Sequence, residues 1–207
     1  WLFRSEMAGL ARSRQHRRRS GKALIEGPHL VQAFMQARVG LANAVAIAES
    51  ALNLPEIRTS FEAVPAEQRV IVTDELLHSV SDVVTSQGLL AVITVPRLED
   101  SPSAQEVIML DRIQDPGNLG TILRTTSAAG LRDVHISPGS ADAWSPKVLR
   151  AGMGAHFALR IHEQVDLLAL TIASSFPVYA AQADAEQSLY RVEDRKSTRL
   201  NSSHGYI

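Results

Sequence analysis

The first half of this 207-residue chain switches between a two-residue and a helical hydrophobic period. Lys22-Ala-Leu-Ile-Glu26 reads as a short strand, closed by a Gly27-Pro28 turn. Leu30, Val31, Phe34 and Met35 then recur at helical spacing and predict an amphipathic helix over 28–38, with Pro28 in its first turn. Ala44 to Ala48 and Arg69-Val-Ile-Val72 predict strands, with a helix over 52–62 between them. Thr73 is placed to cap the next helix, whose first turn carries Asp74 and Glu75 at the positive end of the dipole. Gly88 to Val95 is a further apolar strand.

Pro96 to Gln105, rich in Pro, Ser and acidic residues, predicts a linker (97–105), and a second alternation follows it. Val107-Ile-Met-Leu110 predicts a buried strand and Asp111 to Gly117 a loop. Asn118 to Ala129 predicts a helix with Leu119, Ile122, Leu123 and Thr126 inward, ended by Gly130. Asp133-Val-His-Ile136 is the next strand, and Pro138-Gly139 a turn. Ser145-Pro146 is a helix start with Ser as cap and Pro at the first helical position. Leu159–Ile161, Leu167–Ser174 and Pro177–Ala181 read as strand, helix and strand. The alternation predicts an α/β chain with mainly parallel pairing.

Composition adds mainly exclusions. The chain is 45% hydrophobic and 21% charged, so it can bury a core. It has no cysteine, which excludes disulfides, thiolate zinc and a cysteine nucleophile. No apolar run reaches the roughly 18 residues a membrane span needs, and no secretory signal is present, so a soluble cytoplasmic protein is expected. The start at Trp1 rather than Met is read as the mark of a fragment.

Charge is uneven. Residues 1–22 carry Arg4, Arg12, Arg14, Arg17, Arg18, Arg19 and Lys22 against Glu6, whereas 23–193 are acidic in sum. A basic arm (1–21) before an acidic body fits nucleic-acid binding through counterion release, and equally fits a solvated terminus. At the other end, Asp194 to His204 has a back-translation that resembles a common DNA-sequencing adapter read in frame, so 194–207 are set aside from the fold.

The stretch richest in chemistry is Asp111-Arg-Ile-Gln-Asp115-Pro116-Gly117-Asn118-Leu-Gly120-Thr-Ile-Leu-Arg124. It joins a strand end to a helix start, the edge at which parallel α/β folds bind ligands. Arg124 lies one helical step from the apolar stripe, flanked by Gly120, Thr121, Ser127 and Ala128, all small enough to admit another backbone. The same residues also suit a plain βα turn with a solvated arginine.

The pattern Asp-x-x-x-Asp-Pro-x-Asn-x-Gly-x-x-x-Arg resembles the first signature of the SpoU/TrmH family of RNA ribose 2′-O-methyltransferases, of the SPOUT superfamily. Ser145-Pro-Lys147-Val-Leu-Arg150-Ala-Gly152-Met-Gly154-Ala is similar to the family's next helix, with Gly152 where many members have Ser. Gly21 to Val31, Val72 to Leu77 and Ser86 to Val92 resemble its substrate-binding domain, a small α/β fold like a ribosomal protein. The resemblance covers about residues 14–193. It implies an RNA-binding domain over 22–96 and a SpoU-type parallel α/β methyltransferase domain over 106–193.

It also implies roles. Asn118 and Arg124 would be the catalytic polar pair, the arginine activating the ribose hydroxyl, with no metal. A guanidinium can stabilise the developing alkoxide and fork onto the neighbouring phosphate. Arg14, Arg17, Arg18, Arg19, Lys22, Glu26, His29, Lys147 and Arg150 are candidate RNA contacts. S-adenosylmethionine would be the methyl donor, bound in a C-terminal knot whose Gly-Asn-Glu-Gly and Ser-Leu-Asn-Val-Ser motifs do not occur in this chain. The chain is therefore expected to hold only the first half of that domain and neither to bind the donor well nor to methylate. RNA, as rRNA or tRNA, and a second copy of the intact protein are the implied partners. The rival reading is a non-catalytic RNA-binding or ribosome-associated module.

Weaker signals have ordinary explanations beside them. Gly152-Met-Gly154 fits a helix C-terminus better than a dinucleotide fingerprint. His29, His78, His135, His156 and His162 lack metal-ligand spacing, and His135 on a strand suits packing. Trp144 could stack on a base or staple the helix start.

Overall fold

A computed structural model describes residues 2–40, 42–81, 86–97, 106–175 and 177–181. The first twenty residues are not an extended arm. They form α1 (Leu2–Arg12) and α2 (Arg14–Ser20), joined at Ser13, whose hydroxyl accepts from the His16 N–H at 3.1 Å. Met7, Leu10 and Ala11 of α1 are buried. Burying two such large side chains is worth about 2 kcal/mol each, enough to hold a helix that its own charges do not. Gly21, at φ 63°, ends α2 and turns the chain straight into β1 (Lys22–Glu26).

The elements that follow are α3 (Pro28–Ala37), β2 (Ala42–Ala48), α4 (Pro55–Glu62), β3 (Arg69–Val72), α5 (Asp74–Val80) and β4 (Leu89–Thr94). Thr73 caps α5 as expected, accepting from the Leu76 N–H at 3.3 Å. The expected helix over 52–62 is divided, a short 3-10 turn at Ser50–Asn53 preceding α4, because Pro55 must start a new helix. The sheet order is β1-β4-β2-β3. Only β2 and β3 pair in parallel; β4 runs antiparallel to both β1 and β2. Mainly parallel pairing therefore fails in this half. Strand β4 enters between two earlier strands, and hydrophobic alternation carries no strand direction. Leu89 to Ile93 read as one apolar run because a central strand under helices is buried on both faces.

The second unit is parallel throughout: β5 (Val107–Leu110), α6 (Pro116–Ala128), β6 (Asp133–Ile136), α7 (Pro146–Gly152), β7 (Arg160–Glu163) and α8 (Leu167–Ala173), in sheet order β5-β6-β7. Arg160 forks onto Asp133 across β6 and β7, both distances 2.5 Å. Helix α6 ends in a Schellman turn: Gly130 N–H reaches the Ser127 carbonyl and Leu131 N–H the Thr126 carbonyl, with Gly130 at φ 81°. Pro177–Ala181, expected as a strand, pairs with no other strand among the described residues, and Val178 and Tyr179 are exposed rather than stacked in a sheet. No described helix is long and apolar enough to cross a membrane. The expected linker falls mostly, and the adapter-like tail wholly, outside the described residues.

The two units meet along β1 and α7. A Cβ on Gly154, which has φ 89°, would stand 2.8 Å from the Ala33 Cβ of α3, so a glycine is needed for that approach.

Candidate functional site

The loop between β5 and α6 is built by its own side chains. Asp115, not Asn118, caps α6: its Oδ1 accepts from the Asn118 N–H at 2.7 Å, and Pro116 occupies the first helical position. The helix therefore begins two residues before the expected start, and Asp-Pro-Gly is a cap rather than a separate turn. Ser137, just past β6, ties this loop to the next. Its hydroxyl donates to Asp111 Oδ1 and accepts from the Arg112 N–H, both at 2.8 Å. Ser140 Oγ accepts from the Ile113 N–H at 3.2 Å, and the Ala141 N–H donates to the Ile113 carbonyl at 2.8 Å. The loop is thus held rigid, with Arg112 in the left-handed region at φ 48°.

Arg124 lies on the exposed side of α6, and its guanidinium makes no hydrogen bond or ion pair with the described residues. Asn118 is also exposed. Six residues apart, the two side chains are turned about 120° from each other and about 9 Å apart along the axis. They share a helix but do not converge. Gly120 does not belong to their open flank. A Cβ there would lie 2.4 Å from Ala151 Cβ, 2.7 Å from the Val148 carbonyl and 2.9 Å from the Gly152 N. Its smallness admits the backbone of α7, which corrects the expectation that it leaves room for another chain or an RNA backbone. Thr121 and Ala128 remain exposed beside Arg124.

Helix α7 brings two further candidates. Lys147 is exposed; Arg150 turns inward, 3.6 Å from Glu26 Oε2, an ion pair too long to be a hydrogen bond. Glu26 is buried at the end of β1 and accepts from Ser81 Oγ (2.6 Å) and Ser86 Oγ (2.9 Å). It is engaged by the protein and is not presented to a ligand. His29 is exposed on the first turn of α3. Lys22 pairs with Glu6 at 2.6 Å.

The arginine run on α2 divides. Arg17 is buried: its Nε donates to Asp142 Oδ2 at 2.7 Å, and its Nη1 to the Leu10 (2.5 Å) and Ala11 (3.3 Å) carbonyls. That contradicts its place among the RNA contacts. Arg14 is part-buried, donating to the Ser140 carbonyl at 3.1 Å and pairing with Glu163 at 3.4 Å. Burial, and Asp142 nearby, raise the Glu163 carboxyl above its ordinary value. Arg18 and Arg19 are exposed. Asp142 and Glu163 were not singled out from the sequence, since each pairs with an arginine more than a hundred residues away.

His156 and Trp144 sit beneath α7. The His156 ring is fully buried, bonded through Nε2 to the Ala143 carbonyl at 2.9 Å, and burial lowers its pKa to about 4. Trp144 is buried against it, ring edge to face at 5.4 Å, which rules out base stacking. A Cβ on Gly152 would meet His156 Cε1 at 2.4 Å and Nδ1 at 2.7 Å, so the glycine makes room for this histidine. Met153, at φ 49°, caps α7, consistent with a helix end there.

Two families match the chain: an MRM3-like substrate binding domain over residues 7–91 and the SpoU rRNA Methylase family over 105–200. The mitochondrial rRNA methyltransferase 3 of Homo sapiens is 34% identical over 165 residues, 76% of this chain and 38% of its own length. A 23S rRNA guanosine 2′-O-methyltransferase of Bacillus subtilis is 32% identical over 72% of this chain and 57% of its own. A putative RNA methyltransferase of the TrmH family from Porphyromonas gingivalis superposes with a TM-score of 0.72 at 32% identity, covering 92% of this chain and 73% of that one. The chain thus spans well under half the length of the human relative.

Proposed function

The chain belongs to the SpoU/TrmH family of RNA methyltransferases, and on that premise we propose that the protein transfers a methyl group from S-adenosylmethionine to a ribose 2′-hydroxyl of ribosomal RNA. The observation that carries this reading is Arg124, exposed on the helix of the family signature with no protein partner among the described residues. A guanidinium left free on a rigid helix is ready to hold a phosphate in a bidentate fork and to stabilise charge developing on the neighbouring 2′-oxygen. Asn118 supplies a neutral donor and acceptor one and two-thirds turns earlier. Lys147 adds a free cation on the adjoining helix.

The names of the human and Bacillus relatives favour rRNA over tRNA. Pairing of two copies and a cytoplasmic location belong to the same proposal. So do the division into a substrate-binding unit over 22–96 and a methyltransferase unit over 106–193. In the loops after β5 and β6 the Arg112, Ile113 and Ala141 N–H groups are engaged within the protein, so these three are not the donors that would hold S-adenosylmethionine.

The test is donor-dependent methyl transfer to RNA by the protein expressed from its gene, with Arg124→Ala and Arg124→Lys alongside. Transfer falling by about 10²–10³ in Arg124→Ala, with folding unchanged, is expected for a charge-stabilising group. Undiminished transfer overturns the role of Arg124. No transfer by the parent, with RNA binding retained, leaves the non-catalytic module.

A further inference from the structure

A hollow of about 440 Å³ is lined by Arg14, Gln15, Arg18 and Arg19. At 100° per residue these four side chains fan over about 140° of α2, while Arg17 falls about 60° outside the fan, toward the interior. The helix thus separates its arginines geometrically. Arg17 is neutralised by Asp142 inside the protein. Arg14 stands at the rim, its Nη1 on the Ser140 carbonyl and its Nη2 3.4 Å from Glu163, both on the second unit. Arg18 and Arg19 face solvent and make no hydrogen bond or ion pair with described residues.

We propose that this hollow is a pocket for an RNA backbone phosphate at the seam between the two units, which deepens the function proposed above and rests on it. Three guanidinium groups line the hollow, and one carboxylate, Glu163, acts on two of them, Arg14 and Arg18, so positive charge is in excess. Arg14 and Arg18 stand one turn apart, a like-charge spacing that weakens a helix, and the single charge of Glu163, which acts on both, offsets only part of it. Planar forks match phosphate oxygens, and Gln15 adds an amide donor. No base edge is read by these groups; they would fix the strand in place and leave sequence choice to other contacts. Arg14 is oriented by Ser140 and Glu163, so a phosphate bound there touches a side chain positioned by both units.

The experiment is RNA binding by the full chain, measured by filter retention between 0.05 and 0.3 M salt. Three double variants are compared: Arg18→Ala/Arg19→Ala, Arg18→Lys/Arg19→Lys, and the charge-matched control Arg58→Ala/Arg97→Ala, whose side chains are exposed and do not line the hollow. Loss of one phosphate contact lowers the slope of log K against log salt by about 0.7–0.9 in the alanine pair. Affinity falls roughly tenfold at 0.1 M salt. The lysine pair keeps the slope and loses part of the affinity, because the charge stays and the fork goes. The control moves neither beyond what one or two units of net charge cause at long range. A parent that binds RNA while the alanine pair matches the control overturns the pocket alone. A parent that binds no RNA overturns the pocket together with the RNA reading beneath it.

Discussion

Arg17→Ala separates an arginine that builds the protein from one that meets a ligand. The guanidinium and its partner Asp142 have side-chain exposures of 6% and 7%, with Nη2 2.5 Å from Oδ2. Truncation removes the cation and leaves a carboxylate in the interior, with the Trp144 N–H on Oδ1 at 3.1 Å as its remaining partner among the described residues. It also strips the Leu10 and Ala11 carbonyls of the side-chain donor that meets them at the end of α1. Breaking one side of a buried pair costs about 3–5 kcal/mol, most of it from the charge left behind. The midpoint of urea unfolding gives the number, provided the slope m is unchanged. Arg17→Ala/Asp142→Ala, which leaves no orphan charge, is expected to recover at least 1–2 kcal/mol of that loss, since the two residues share one interaction. Arg18→Ala, at an exposed site, is expected to stay within about 0.5 kcal/mol of the parent. A loss below about 1 kcal/mol in Arg17→Ala, with RNA affinity falling as far as in Arg18→Ala, would refute the reasoning and return Arg17 to the RNA contacts.

His156 gives a pH signature. Its folded pKa, about 4, lies below the ordinary 6.5, so the unfolded chain takes up the proton first as pH falls. Its contribution is complete above about pH 6.5 and is lost between there and pH 4, about 3 kcal/mol in all; in His156→Gln, stability measured across that window should lose this component, and an unchanged slope sinks the assignment. Gly120→Ala gains helix propensity but drives a Cβ to within 3 Å of two backbone atoms of α7. A net loss of about 1–3 kcal/mol is expected in thermal or urea unfolding, and a neutral result would mean that α6 and α7 are less tightly packed than described. Gly152→Ser should cost a similar amount here and much less in a His156→Ala background, a coupling read directly from a double-mutant cycle.

The strands were legible because each is a short apolar run between turn residues. β1, β3, β5 and β6 lie where the pattern puts them. What the pattern does not carry is direction and distance. It gives no sign that β4 inserts antiparallel between β1 and β2. Helix α1 carries a signal, since Phe3, Met7, Leu10 and Ala11 recur at three- and four-residue intervals, but the cations of this segment equally suit a solvated arm. At the candidate site, the motif points to Asn118 and Arg124, while the cap Asp115 and the brace Ser137 are set by hydrogen bonds within and between loops. Glu26 and Arg17 look like ordinary surface charges in one dimension. Only their partners, Ser81, Ser86, Arg150 and Asp142, make them interior groups.

Those partners have a feature in common. Arg17 with Asp142, Arg14 with Glu163, and Glu26 with Arg150 each pair one residue from the first 26 with one beyond 140. Gly154 against Ala33 adds a close steric contact to the same seam. A flexible tether between the units would let each find its ligand independently; a seam of buried and half-buried ion pairs does not, because sliding it would strand charges away from water. In the function proposed above, RNA held by Arg18 and Arg19 is then presented to Arg124 at a set distance and angle. Methyl transfer is an in-line displacement in which placement supplies much of the rate, so a misfit of about 1 Å can cost a hundredfold. Under that proposal the acidic partners of the N-terminal arginines would serve the reaction by fixing where Arg18, Arg19 and Arg124 stand, without touching the substrate themselves.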